Sequence, residues 1–455
     1  MRVIVVTWLY APTPTPRAIR WQTLSEEFAR AGHRVEVITS EVPGATSSSG
    51  LEGLTIHRVG GVFGANIGPA IRSAAAEESR DTKRVSTRIR KFASNMACRI
   101  YDASWKKVYW PDRACSWFPA ALRRAERIVK DGDCDGIITV SLPFTAHLVG
   151  YSMKRRHPEL PWIVDIGDPF ALQDKEAPNN YALHRHRNAL WERKVLASSD
   201  YVSVTNQTMS DLYASIFPDA RSRLRVIPPC APADVRRSDT SIFTTNGAVR
   251  IVYAGRLYRG IRSPRFLLAL YRALSGILEG RCELHFIGDV SDCADDFRSS
   301  AGDSTIFIHG VQSHERTLGA LSTADVLVNI ANTTSYQLPS KIVEYAAMGK
   351  KILTVSTVEG DQSTCLLQDY PAALTLHDAG TGPTPDQVRR LIQFIQYEPD
   401  AHSARLLQTW GDRFRPQRVG RAYLELVAAA GPGSRMWPEP EASVCQRSAG
   451  TAPVS

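Results

Sequence analysis

A chain of 455 residues is too long for one hydrophobic core, and two domains of about 150–250 residues are expected. Hydrophobic residues at 43% and charged residues at 22% exclude a globally disordered chain. The formal net charge of +9 points to phosphate-bearing partners (nucleotide, anionic lipid or nucleic acid) without choosing among them.

The eight cysteines are scattered with no C-x-x-C pair and no accompanying histidine cluster, which argues against a zinc module or a disulfide framework and for reduced cytosolic thiols. No apolar run approaches the roughly 18–20 residues of a membrane helix. The opening "MRVIVVTWLYAPTPTP" has a short apolar run and no A-x-A cleavage site, so it reads as a buried first strand rather than a secretion signal.

Along the first half, strands are expected at Val3–Tyr10, Val35–Thr39, Leu54–Val59, Gly136–Val140, Trp162–Ile166 and Tyr201–Thr205. Continuous Val/Ile-rich runs of this kind suit parallel strands covered on both faces. Between the first two, Trp21, Leu24 and Phe28 recur at helical spacing and Gly32 ends the helix, making a βαβ unit. The alternation is interrupted over about residues 60–117. "GGVFGANIG" is a Gly-rich loop, and Arg80 to Trp110 carries nine Lys/Arg against two Asp with interleaved aromatics. Such a segment can lie on an anionic bilayer, or it can be a solvated basic face.

Residues 231–248 lack periodicity and read as a linker. A second alternation follows, with strands at Arg250–Ala254, Glu283–Ile287, Thr305–His309, Val326–Ile330 and Lys351–Val355. Helices are expected at Pro264–Leu278, His314–Ser322, Pro339–Met348 and Pro385–Tyr397. The expected organisation is α/β: an N-terminal domain over residues 1–230 and a C-terminal domain over 249–410, each a doubly wound, Rossmann-like sheet. A helix within 411–430 would return to the N-terminal domain, and 431–455 reads as a disordered tail.

In open α/β sheets, ligands bind beyond the carboxyl ends of the strands, so polar residues just after strands are the candidates. "QLPSKIVEYAAMGKKIL" follows one such strand. Pro339 is placed to start a helix, and the backbone amides of Ser340 and Lys341 would face an anion there. Lys341 adds charge for phosphate, and Glu344, one turn in, can accept two ribose hydroxyls. The plain alternative is a first-turn acid that stabilises the helix dipole. "DGDCDG" (Asp131–Gly136) fails as a calcium loop because its twelfth position is Leu142, and it reads as a turn. "HRHR" (His184–Arg187) reads as a solvated helix face. There is no G-x-G-x-x-G, so a dinucleotide site lacks its fingerprint.

The run "PSKIVEYAAMGKKIL" resembles the donor-site motif of retaining GT-B glycosyltransferases, in particular family 4 ("group 1"). "IVYAGRLYRG" is similar to that family's G-R-L loop. "VVTWLYAPTPTPRAIRWQTLSEEFARAGHRVEVITS", "SLPFTAHLVGYSMKRRHPELPWIVDIGDPF" and "ERKVLASSDYVSVTNQTMSDLYASIFPDARSRLRVIPP" resemble segments of its N-terminal domain in the same order. The likeness covers most of residues 1–425 outside the basic interruption. It implies a GT-B fold, two Rossmann-like domains facing a central cleft, with the acceptor on the N-terminal domain and a nucleotide-diphosphate sugar on the C-terminal one.

By that resemblance Glu344 holds the nucleotide ribose and Arg256 contacts the donor diphosphate. The family's following Lys is missing from its usual place, with Arg259 or Arg262 as replacements. The family's first motif Glu would stand eight residues before Glu344, where this chain has Tyr336. Gln337, or backbone amides through Leu338, would then meet the donor sugar. His147 in "PFTAH" is expected near the transferred sugar, and Asp168 in "DIGDP" is an acceptor- or sugar-facing acid, with Asp165 structural. Arg17 and Arg20, on the Thr13–Arg20 loop, would bind a donor or acceptor phosphate.

The implied reaction is sugar transfer with retention from a UDP- or GDP-linked donor, with no metal and no other cofactor. Its expected catalytic residues are His147, Asp168 and Arg256. The acceptor would be a saccharide or a lipid-linked saccharide, and the expected setting is the inner face of a bacterial plasma membrane, in exopolysaccharide or lipopolysaccharide synthesis. Two rivals stand beside it: a GT-B nucleotide-sugar epimerase or hydrolase, and a non-enzymatic partner in a polysaccharide-assembly complex. Nucleic-acid binding is disfavoured because no recognition module accompanies the basic stretch.

Overall fold

The computed structural model describes residues 1–13, 15–45, 49–60, 109–172, 177–231, 242–243, 247–278, 281–300, 302–332, 338–358 and 360–431. The Gly-rich loop and the basic stretch up to residue 108, most of the expected linker, Tyr336, Gln337 and the tail from 432 lie outside these residues. The chain divides into two compact units. One holds Met1–Ile227 with residues 420–431, and the other holds Pro228–Val419.

The N-terminal unit is built on seven strands: β1 (Arg2–Val6), β2 (Arg34–Thr39), β3 (Leu54–Arg58), β4 (Gly136–Ser141), β5 (Trp162–Ile166), β6 (Tyr201–Val204) and β7 (Leu224–Val226). All pair in parallel, in the order β3-β2-β1-β4-β5-β6-β7. The central strands are apolar on both faces because helices cover both. Val3, Ile4, Val5, Val6, Ile137, Ile138, Ile163 and Val164 are fully buried.

The first strand is shorter than the sequence implies and stops at Val6 rather than Tyr10. Trp8 and Tyr10 are buried all the same, so their apolarity reports packing of the following loop and not strand. The Thr15 hydroxyl caps α1 (Pro16–Arg30) by accepting from Ala18 N at 3.3 Å, with Pro16 at the first helical position. Strand β7 was not expected, being three residues long at the sheet edge.

Residues 109–117, assigned to the interruption from sequence, belong to the N-terminal core. Trp117 is fully buried, and the buried Asp112 carboxylate accepts from Thr145 N at 3.0 Å and Thr145 Oγ1 at 2.8 Å. Asp112 thereby holds the first turn of α3 (Thr145–Arg156), a helix with no cap of its own. Between the two lies α2 (Phe118–Lys130), and α4 (Tyr181–Ser198) and α5 (Gln207–Ile216) follow.

The C-terminal unit has six parallel strands in the order β10-β9-β8-β11-β12-β13. They are β8 (Val249–Ala254), β9 (Cys282–Ile287), β10 (Ile306–Ile308), β11 (Val326–Ile330), β12 (Lys351–Ser356) and β13 (Ala373–His377). Helices α6 (Arg265–Ile277), α7 (His314–Thr323), α8 (Ser340–Ala347) and α10 (Pro385–Gln396) lie within two residues of expectation. Strand β13, the short α9 (Gln362–Leu366) and α11 (Ala401–Trp410) were missed. Half-exposed edge strands and short helices leave little periodicity to read.

Candidate functional site

In both sheets the strand order reverses at one point: between β1 and β4 in the N-terminal unit, and between β8 and β11 in the C-terminal unit. The connections on either side of such a point run in opposite directions and leave a crevice at the carboxyl ends of the strands. The chemistry-bearing residues of each unit gather there.

In the C-terminal unit the crevice is floored by two glycines, Gly255 after β8 and Gly288 after β9, at φ of 151° and 130°. Gly255 N donates to Ile287 O at 2.7 Å, drawing the two turns together. A Cβ on Gly288 would come within 2.2 Å of Gly255 O, and one on Gly255 within 1.7 Å of Lys341 Nζ. Only glycine admits that approach.

Lys341 reaches over these turns from the start of α8, where its ammonium donates to the Ala254 carbonyl and stands 5.5 Å from the Tyr253 ring centre. Burial and the nearby Arg262 guanidinium push its pKa down to about 8. Arg262 is held by Nε donating to Asn332 Oδ1 at 2.7 Å, and Asn332 stands just past β11. Glu344, one turn along α8, is pushed up to about 7 by burial, which Lys341 only partly offsets.

Two cations crowded at a helix N-terminus, with Arg262 lowering the Lys341 pKa, suit an anionic ligand. Pro339 is the N-cap of α8 and not its first residue, so the helix begins at Ser340. Leu338 packs against the apolar cluster around Ile342 and Tyr345. Arg256 is half-exposed, paired with Asp289 through Nε to Oδ2 at 3.2 Å, and lies over the Tyr258 ring. The Tyr253 hydroxyl donates to Arg256 O at 3.0 Å and pins this loop.

The two candidate replacements for the missing Lys separate clearly. Arg259 faces an acidic turn, pairing with Asp295 at 3.1 Å while its backbone amide donates to Asp292 at 2.7 Å. Arg262 alone shares the Lys341 environment.

In the N-terminal unit His147 is buried one turn into α3, with Nδ1 at 2.8 Å from Thr139 Oγ1. Trp162 Nε1 donates to that same hydroxyl at 2.9 Å. The hydroxyl proton is then left to point at His147, so Nδ1 accepts and Nε2 carries the ring proton. Nε2 has no partner among the described residues. Burial pushes the imidazole pKa down to about 3, so it is a neutral donor at any working pH. Gly150 makes this packing possible, since a Cβ there would fall 2.3 Å from Trp162 Nε1.

Asp165 is the hub of the crevice. Its Oδ2 accepts from Arg17 NH1 at 3.0 Å and Trp21 Nε1 at 2.9 Å, and its Oδ1 from Ser203 Oγ and Tyr423 OH, both at 2.8 Å. Arg17 and Arg20 stand on α1 rather than on a loop. Arg20 is buried and donates to Tyr423 OH at 3.0 Å. The neighbouring arginines and these hydrogen bonds overcome the desolvation of Asp165 and hold its pKa low. Asp168 is half-buried two residues beyond β5. Trp21, Ser203 and Tyr423 were not anticipated as members. Nothing in local sequence links residues as far apart as 21, 165, 203 and 423.

Among the described residues no group of three or more His, Cys, Asp or Glu side chains is placed to hold a metal ion, and no helix is long and apolar enough to cross a membrane.

Residues 18–230 match the glycosyl transferase 4-like domain. The whole chain aligns with solved GT-B structures. One is sucrose-phosphate synthase from Thermosynechococcus elongatus, at 16% identity and TM-score 0.57 over 94% of this chain and 100% of that one. A glycosyltransferase from Rickettsia africae ESF-5 aligns at 11% identity and TM-score 0.60, over 95% and 99%. The catalytic domain of starch synthase IV from Arabidopsis thaliana, bound to ADP and acarbose, aligns at 11% identity and TM-score 0.60, over 94% and 99%. No curated protein matches the sequence closely enough to be aligned with it. The fold is that of the GT-B glycosyltransferases, and residues 18–230 are similar to the glycosyl transferase 4-like domain. Enzymes of this kind take nucleotide-diphosphate sugars as donors.

Proposed function

We propose that the C-terminal unit binds the donor, most simply a UDP- or GDP-sugar, at the β8/β11 crevice, and that the N-terminal unit binds the acceptor. Lys341, Arg262 and Arg256 receive the diphosphate together with the backbone amides of Ser340 and Lys341. Glu344, ionised, accepts the ribose hydroxyls. The observation that carries this reading is the closeness of two cations over a glycine floor, Arg262 helping to push the Lys341 pKa down to about 8. Of the donor-sugar contacts expected of Gln337 and Leu338, that of Leu338 would be made by its backbone, since its side chain packs into the apolar cluster, and Gln337 lies outside the described residues. In the N-terminal unit the Nε2–H of His147 is a neutral donor for a sugar hydroxyl, with Asp168 an acceptor-facing acid and Arg17 a phosphate contact. Arg20 contributes through Tyr423 rather than by direct contact.

As the glycosidic bond to phosphate lengthens, negative charge grows on the departing diphosphate, and these cations and the helix dipole stabilise it. The acceptor hydroxyl attacks from the leaving-group side, its proton passing to the departing phosphate oxygen, so no protein nucleophile is needed. A saccharide or lipid-linked acceptor at the cytoplasmic face of a bacterial membrane, in exopolysaccharide or lipopolysaccharide synthesis, fits the basic charge of the chain.

The test is nucleoside diphosphate release from UDP-, GDP- and ADP-sugars, with and without membrane extract, for wild type and Glu344→Ala. Release from one donor, raised by extract and lost in Glu344→Ala, supports the reading. Absence of both release and donor binding across the panel overturns it.

A further inference from the structure

The outer surface of the N-terminal unit, away from the β1/β4 crevice residues, carries a feature that the transfer reaction does not use. Helices α2, α3 and α4 lie side by side there. Along α4 (Tyr181–Ser198) the exposed positions include Arg185, Arg187, Arg193 and Lys194. Its one acid, Glu192, is buried, and its carboxylate accepts from Tyr213 OH at 2.7 Å and from Ala171 N at 2.8 Å. The solvent face therefore shows four cations and no acid. Two leucines stand among them, Leu183 at 63% and Leu190 at 52% exposure. Leu183, Arg187, Leu190 and Lys194 fall at i, i+4, i+7 and i+11, a single stripe.

Beside this stripe runs a groove of about 410 Å³ lined by Phe118, Leu148, Tyr151 and Trp191, with Arg155 and Arg156 at its rim. Trp191 anchors an aromatic step. Its ring lies 5.6 Å from Tyr151 and 5.5 Å from Trp110, Arg187 stands 3.9 Å over Trp110, and Lys194 stands 4.8 Å over Trp191. Cationic heads on apolar stems, exposed leucines and indole rings with a polar edge are the groups that settle at a bilayer's headgroup boundary.

We propose that the α3–α4 face is a docking surface for an anionic phospholipid membrane. In this arrangement the arginines and Lys194 meet lipid phosphate, Leu183 and Leu190 enter the acyl boundary, and the groove takes an acyl chain. Charge decides for this occupant: Arg156 already pairs with Glu126, but a neutral bilayer gives the other five cations no counter-charge, and an apolar protein partner would leave them buried without one. The inference does not depend on the donor-site assignments.

The full chain is floated with phosphatidylglycerol/phosphatidylcholine vesicles and with phosphatidylcholine vesicles, at low and high salt. Neither sugar donor nor acceptor is present, so failure here leaves the transferase reading untouched. Each basic residue near an anionic surface contributes about five-fold to partitioning, so Arg185→Gln/Arg193→Gln/Lys194→Gln is expected to lower it by about a hundred-fold. Leu183→Ser/Leu190→Ser should remove the binding that survives in high salt. Both variants alter exposed positions, and circular dichroism checks that they fold. Four outcomes overturn the proposal: no flotation, equal flotation on neutral vesicles, undiminished binding by the folded triple variant, or displacement of the vesicles by a nucleic acid oligomer. Undiminished binding would place the contact elsewhere in the chain.

Discussion

The two crevices are built on the same topology and hold their charges in opposite ways. In the N-terminal unit Asp165 is surrounded by four donors, with Arg17 as its counter-charge, and His147 is neutral. In the C-terminal unit burial and Arg262 depress Lys341, and burial holds Glu344 far above its usual range. In the first arrangement the buried carboxylate is fully compensated. The second is costly until a ligand completes it. Unbalanced charge marks the side where binding energy is to be gained, and balanced charge marks scaffold.

Substitutions should separate the two. Asp165→Asn removes the counter-charge of Arg17 and turns an amide nitrogen toward two of the four donors, and should cost about 3–5 kcal/mol of stability. Chemical denaturation reads this, and a loss under about 1 kcal/mol would mean the hub is not structural. Lys341→Ala should leave stability nearly unchanged, because it relieves a crowded cation, yet lower donor affinity about a hundred-fold by removing a charged contact to phosphate. Titration calorimetry with UDP and GDP measures it, and unchanged affinity would move the diphosphate elsewhere.

Glu344→Gln is expected to split the two properties. The folded-state pKa of this acid is raised to about 7, so its contribution to stability is greatest below its ordinary carboxylate pKa and is lost as pH rises through 7. The amide avoids that loss, so the variant should be more stable at pH 8 by on the order of 1 kcal/mol, while donor affinity falls about ten-fold. In the wild type, donor affinity should rise as pH passes up through about 7 and Glu344 ionises. It should fall again as pH passes about 8 and Lys341 loses its proton. The variant should keep the alkaline limb and lose the acid one, and a variant that keeps both limbs would exclude Glu344 as the titrating group. The smallest effect belongs to Arg259→Ala, about two-fold or less on donor affinity, since its guanidinium is exposed and already faces Asp295. A loss as large as that of Lys341→Ala would restore Arg259 to the diphosphate site.

Much of the fold was legible along the chain. The buried strands announce themselves as Val/Ile runs, and both sheets are assembled from such runs in parallel. Pro339 and Gly349 bracket α8 as punctuation in the sequence. Their local rules decided Lys341 and Glu344 as candidates before any contact was seen. The misses share one cause. Asp112 capping α3, Tyr423 and Ser203 on Asp165, and the choice of Arg262 over Arg259 all join residues distant in sequence, where periodicity and spacing carry no signal. The "HRHR" segment was read as a solvated face, yet His184 is buried while Arg185, His186 and Arg187 are exposed, because which position turns inward depends on what the helix packs against.

What the sequence determined by itself is the alternation of strands and helices, the helix start that offers amides, a lysine and an acid, and a basic surplus. Apolar runs, caps and composition are local properties, and local energetics suffice to read them. Only the tertiary structure decided which charges are compensated. Burial and proximity set whether Asp165 meets four donors and whether Lys341 meets another cation, and both are properties of packing between distant segments.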